Sequence, residues 1–193
     1  AARCPLHNRV ITCRGDARED GLWDLEGELH DTKHYSYESN SGLVAAGTPI
    51  HHLHIRVTVD DALCIQAIES SMDATPFGEC GVAGGTLQRM VGQTMGAGWR
   101  QTIERAIGGV QGCTHITELL GPVATTFFQT LYGQRYDEED AKPAADRAPP
   151  PVLNTCHALA SDSPVVKKRW PRVYSGPDRE VDGHHQPLLD SIT

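Results

Sequence analysis

Hydrophobic positions recur at period two over the first seventy residues and at the helical period beyond them. In LWDLEGELHDTK, residues 22–33, Trp23, Leu25, Gly27 and Leu29 share one phase and Asp24, Glu26, Glu28 and His30 the other, which is the pattern of a half-buried strand. The preceding RGDARED ends in Asp20-Gly21, which is turn chemistry, and Val10 to Cys13 is an apolar run able to pair across it. A first hairpin is therefore predicted from about Arg9 to Asp31. The Ser/Gly-rich tract from Tyr35 to Pro49 predicts a loop. Next, His51, Leu53, Ile55, Val57 and Val59 alternate with His52, His54, Arg56, Thr58 and Asp60. After Asp60-Asp61-Ala62 the run Leu63 to Ile68 resumes the period, so a second antiparallel hairpin follows.

The period then lengthens. Gly78 to Gly85 is glycine-rich around Cys80, and Leu87, Met90 and Val91 open a helical pattern that stops near Gly92 to Gly98. A second helix is expected from Trp99 to Gly108-Gly109. The third and strongest starts near Thr114 and carries Ile116, Leu119, Leu120, Val123, Phe127 and Leu131 on one face. Pro122 should kink it or mark its true start. The stretch YDEEDAKPAADRAPPP has no core-forming pattern and reads as an exposed linker over residues 134–151. Residues 152–174 recover apolar positions and are expected to dock back as two short strands, and 175–193 reads as a flexible tail. The expected fold class is α+β: an antiparallel sheet of two hairpins, three helices packed on one face, and a C-terminal extension to the main domain of residues 1–133.

Composition narrows the function. A net charge of −8 argues against a nucleic-acid partner, whose affinity would come from Lys and Arg neutralising phosphates. No run reaches the roughly 20 apolar residues needed to span a bilayer, and no charged-then-apolar leader opens the chain, so a cytoplasmic location without a membrane partner is expected. The six cysteines are widely scattered and include no C-x-x-C pair. They read as thiols rather than staples, and any metal site must draw on distant segments.

The sharpest local signal is Gly112-Cys113-Thr114-His115-Ile116-Thr117-Glu118, with Thr114 a candidate N-cap. A thiol just before a helix N-terminus is favoured as thiolate by the helix dipole, and His115 and Glu118 lie three apart on one helical face. Thiolate and imidazole are the ligands zinc and iron prefer. His51, on the apolar face of its strand, and Cys80, before a helix, sit at element ends where ligands from separate segments can meet. Cys156-His157 is a further soft-ligand pair, and His184-His185 falls in the tail. The cluster His51, His52, His54 is divided by strand alternation, leaving His52 and His54 on a polar face. The acid row Asp24, Glu26, Glu28, with Asp31 and Lys33 beyond it, reads as a solvated sheet face. No G-x-S-x-G, P-loop or dinucleotide fingerprint is present.

Across nearly the whole chain, RCPLHNRVITCRGDAREDGLWDLEGELHDTK, GTPIHHLHIRVTVD, GGVQGCTHITELLGPVATTFFQT and NTCHALASDSPVVKKRWP resemble the bacterial family catalogued as domain of unknown function 2889. More distantly, the order of two strands joined by an Asp-Asp turn, a Gly-rich loop with Cys80, helices, and a cysteine opening a helix is similar to the iron-sulfur scaffold fold of the IscU/NifU type. That likeness implies three metal ligands at His51, Cys80 and Cys113. Histidine in place of the usual first cysteine suits a mononuclear zinc or iron ion better than an iron-sulfur cluster. The expectation is a metal-dependent enzyme acting on a small organic molecule, by lyase or hydrolase chemistry, with His115 and Glu118 working beside the ion. The alternative is a non-catalytic metal or sulfur carrier that meets partner proteins, and assembly into a homo-oligomer stays open.

Overall fold

The computed structural model describes residues 1–39, 42–150 and 152–177, with the side chains of 134–140 excepted. Strand β1 (His7–Ala17) pairs antiparallel with β2 (Trp23–Lys33), and Gly21, at φ 82°, supplies the left-handed residue of the connecting turn. The tract predicted as loop contains a small hairpin of its own, β3 (Tyr37–Ser39) and β4 (Gly42–Val44). Three-residue strands are too short to show a period, which is why the Ser/Gly composition hid them. Strands β5 (Pro49–Val59) and β6 (Ile65–Ala74) form the second hairpin, and the four long strands make one antiparallel sheet in the order β1-β2-β5-β6.

Alternation decides which face is covered. In β2 the residues Trp23, Leu25, Gly27, Leu29 and Asp31 are buried while their neighbours are half-buried. In β5 Leu53, Ile55, Val57 and Val59 are buried in the same core. Against them pack α1 (Cys80–Gly85) with a 3-10 turn at Thr86–Met90, then α2 (Trp99–Ile107), then α3 (Thr114–Asp140). Buried Leu87, Met90, Ile103, Ile107, Leu119 and Phe127 complete the core. Burial at roughly 25 cal/mol per Å² of apolar surface is the main force holding helices to sheet.

Gly27 sets how closely α3 approaches. A Cβ there would lie 2.7 Å from Val123 Cγ2 and 3.1 Å from Leu119 Cγ, so only glycine lets the helix seat at this depth. Trp99 of α2 then donates its indole N–H to the Leu120 carbonyl of α3 at 3.1 Å. Several local expectations are corrected. Cys80 opens α1 instead of preceding a helix, and the Leu87–Met90 pattern is a 3-10 turn. Helix α3 begins at Thr114 and continues through Pro122, while the Cys113 carbonyl accepts from Thr117 N–H at 3.0 Å, so Cys113 holds the cap position expected for Thr114. The same helix runs into the acidic stretch as far as Asp140.

The chain divides into two compact units, Ala1–Tyr132 and Gly133–Thr193. Within the second, the two predicted strands are replaced by a 3-10 turn at His157–Leu159, the short helix α4 (Pro164–Arg169) and another 3-10 turn at Pro171–Val173. Ser163 caps α4 by accepting from Val166 N–H at 3.2 Å, and Pro164 takes the first helical position. Ser-Pro before an apolar pair is a helix start, and it outweighs the strand-like look of Val165-Val166. Ser175, assigned to the tail, donates its N–H to the Ser161 carbonyl at 2.9 Å. The tail from residue 178, with His184-His185, lies outside the described residues. No helix among the described residues is long and apolar enough to cross a membrane.

Candidate metal centre and its cleft

Strand register brings three residues into line across the sheet: Arg9 of β1 stands opposite Asp31 of β2, which stands opposite His51 of β5. Asp31 is fully buried, and both of its oxygens are occupied. Arg9 donates from Nε to Oδ1 at 2.8 Å and from Nη2 to Oδ2 at 2.7 Å, in the forked geometry that a carboxylate accepts best. His51 Nδ1 lies 3.0 Å from Oδ2 and His7 Nε2 lies 3.4 Å from Oδ1. Burial is the largest influence on this carboxyl and opposes its ionisation. The hydrogen bonds and charge of Arg9, with the hydrogen bond of His51, outweigh it and hold the pKa at about 2, below the ordinary 3.8.

An ionised carboxylate can only accept, so Nδ1 of His51 carries the hydrogen and Nε2 is the ring nitrogen left to meet a ligand. On the other side of His51 lies His115, from the first turn of α3, with ring centroids 3.7 Å apart and planes at 33°. Burial pushes the His115 imidazole below its ordinary pKa, and the charges of His51 and Arg9 add to the effect. Two stacked imidazoles cannot both be cationic cheaply, and it is His115 whose ring is kept neutral and offers a lone pair instead of charge. Cys113 Sγ sits 3.8 Å from His115 Nδ1.

An open cleft of about 530 Å³ collects these groups. His51, Cys80, Cys113 and His115 all line it, so four of the five sequence-predicted residues come together there. Its apolar rim is Phe77, Val82 and Val110, all exposed. Glu118 is the fifth, and it is not among the lining residues; it accepts from Arg9 Nη1 at 2.8 Å and is half exposed. Among the described residues, donor atoms of Asp31, His51 and His115 lie within 4.8 Å of one another, a set the sulfurs of Cys80 and Cys113 do not join. Both Asp31 oxygens are already engaged, and its contact with Nδ1 fixes the ring orientation and tautomer of His51. The donors facing the cleft, two imidazoles and two thiols, suit zinc or iron. All six cysteines are free thiols, as their spacing predicts, and exposed Cys156 belongs to the second unit.

Asp31 and Arg9 are the residues that sequence reasoning missed. Asp31 follows the solvated acid row in the sequence, yet it stands in the phase of Trp23, Leu25 and Leu29, so its parity marks it as an acid on the core face. Asp24, Glu26 and Glu28 do lie on the other face, where Glu26 pairs with Arg14 and with Arg56, the latter at 2.8 Å. Arg9 carries no comparable signal, since β1 is exposed along most of its length. A family model described as protein of unknown function (DUF2889) matches residues 7–129, which includes every residue of this site. No curated protein and no solved structure matches the chain.

Proposed function

The chain belongs to this family of unknown function, and from the chemistry of its cleft we propose a metal-dependent enzyme acting on a small organic molecule by lyase or hydrolase chemistry. Zinc or iron would be held by His51, Cys80 and Cys113, the two thiols reaching it from the cleft wall. The observation that carries this reading is the convergence of soft donors from the starts of β5, α1 and α3 on one open cleft. A bound ion would supply Lewis-acid polarisation of a substrate oxygen or activation of water. The chain's own groups do the rest. Asp31 orients His51 through Nδ1. His115, neutral at physiological pH, can accept a proton beside the ion. Glu118, tied to Arg9, is a positioning residue that keeps the guanidinium aimed at Asp31.

A second reading, a metal or sulfur carrier of the IscU/NifU type, draws on the same three donor positions and on the exposed apolar rim of Phe77, Val82 and Val110, a surface that could meet a partner protein. Closed coordination would favour it and an exchangeable position would favour the enzyme. The test is elemental analysis of the full chain purified without an affinity tag, beside His51→Ala and Cys113→Ala. Zinc or iron in native protein is expected to fall by about one equivalent per chain in each variant. Loading that is absent from reconstituted native protein, or indifferent to both substitutions, overturns the proposal.

A further inference from the structure

Strand alternation sends His51 to the cleft and its neighbours His52 and His54 to the opposite face of the sheet, where they meet acids from two other strands. Glu28 of β2 stands opposite His54, and its Oε1 lies 2.8 Å from His52 Nε2 and 3.7 Å from His54 Nε2. The two Nε2 atoms are 3.1 Å apart. In β6 the register jumps between His52 and Leu53, whose partners are Ala74 and Met72, so Asp73 is the extra residue of a β-bulge. The bulge aims Asp73 at the pair: its Oδ2 lies 3.7 Å from His52 Nδ1 and 3.9 Å from His54 Nε2.

We propose that Glu28, His52 and His54 form a second metal site, separate from the cleft, that takes a divalent transition ion such as zinc, with Asp73 behind His52. Two imidazole nitrogens and one carboxylate oxygen within 4.8 Å of one another are the donor set of such an ion. The spacing fits as well. Ligands bound tetrahedrally at about 2.0–2.1 Å stand about 3.3 Å apart, and the three separations here, 2.8, 3.1 and 3.7 Å, straddle that edge. Asp73 faces the other ring nitrogen of His52, the place from which a carboxylate fixes a ligating imidazole. An all-oxygen site would favour magnesium or calcium, and the imidazoles select against both. The ion would clasp β2 to β5, with the edge strand β6 held through Asp73, so zinc should raise the melting temperature.

The full chain is used without an affinity tag, in a His51→Ala/Cys80→Ala/Cys113→Ala background that removes the three proposed cleft ligands, and zinc is titrated by calorimetry. Zinc should still bind and raise the melting temperature. Adding His52→Ala with His54→Ala should weaken binding at least tenfold and abolish the melting shift, and Asp73→Asn alone should weaken it about tenfold. All three side chains are partly exposed, so the metal-free melting temperature of these variants should match the parent. Glu28→Gln serves as an independent ligand deletion. Zinc affinity that is unchanged by the histidine pair and by Glu28→Gln overturns the proposal. Because all three proposed cleft ligands are absent from this background, neither result bears on the cleft reading.

Discussion

The guanidinium of Arg9 holds the buried carboxylate of Asp31 through two parallel hydrogen bonds, at 2.8 and 2.7 Å, across paired positions of β1 and β2. The pair has a thermodynamic signature. A carboxyl at about 2 in the folded chain and near its ordinary 3.8 in the unfolded one binds fewer protons when folded. The shift corresponds to about 2 kcal/mol of stability. That contribution is complete above about pH 4 and is lost as the pH falls through about 2. Urea unfolding along a pH series should therefore show native protein losing stability over this window, with Asp31→Asn, less stable at neutral pH, approaching it at acid pH. Parallel pH profiles for the two proteins would show that the pair does not carry the effect. Arg9→Ala should be worse still, by about 3 kcal/mol at neutral pH, because it leaves a buried charge uncompensated.

His115, like Asp31, binds its proton less readily in the folded chain, here because its surroundings disfavour the charged form. Burial, then the neighbouring charges of His51 and Arg9, lower its pKa below 6.5. The unfolded chain thus takes up this proton first, and stability declines as pH falls from about 6.5 toward the folded value. In a histidine NMR titration the His115 ring should report a midpoint below 6.5, and His51→Gln should move it upward by removing one repulsive partner. A midpoint at or above 6.5 in the native protein, or a downward move in the variant, would contradict the stacked arrangement.

The fold was largely legible because β2 and β5 announce themselves by parity and α3 by its apolar stripe, all three being long enough for a period to show. The short elements were not. Tyr37–Ser39 and Gly42–Val44 hold one pleat each, and α4 reads by its Ser163-Pro164 start instead of by periodicity. At the site, His51, Cys80, Cys113 and His115 could be found because they stand at element ends, where segments distant in the chain converge. Arg9 could not, since its meaning lies in the β1–β2 register, which pairs it with Asp31 only once the turn length at Gly21 is fixed. Period two places Asp24, Glu26 and Glu28 on the polar face, where Glu26 pairs with Arg14 and Arg56, but the bulge that turns Asp73 toward His52 is invisible to a period-two count.

Gly27 links the core to the site. The space for its Cβ is taken by Val123 and Leu119, so Gly27→Ala must push α3 away from β2. Overpacking of this kind costs about 1–3 kcal/mol. The same displacement would part His115, on the first turn of α3, from His51 on the sheet. Reduced stability in urea and reduced metal loading are both expected, and a variant with native stability would show that the helix has room to yield.

The rim of the cleft separates stability from ligand binding. Val110 is fully exposed at 105% and Phe77 is exposed at 58%, so neither is buried in the fold. Phe77→Ser with Val110→Ser should change unfolding stability by no more than about 0.5 kcal/mol, as for other surface substitutions. Both line the cleft that also holds His51 and Cys113, and an organic ligand reaching those polar groups would lay its apolar part across them. An apolar fluorescent probe such as anilinonaphthalene sulfonate should bind native protein and lose most of that affinity in the double variant, while metal loading stays intact. Undiminished probe binding would place the apolar contact elsewhere and leave the rim without a role in ligand recognition.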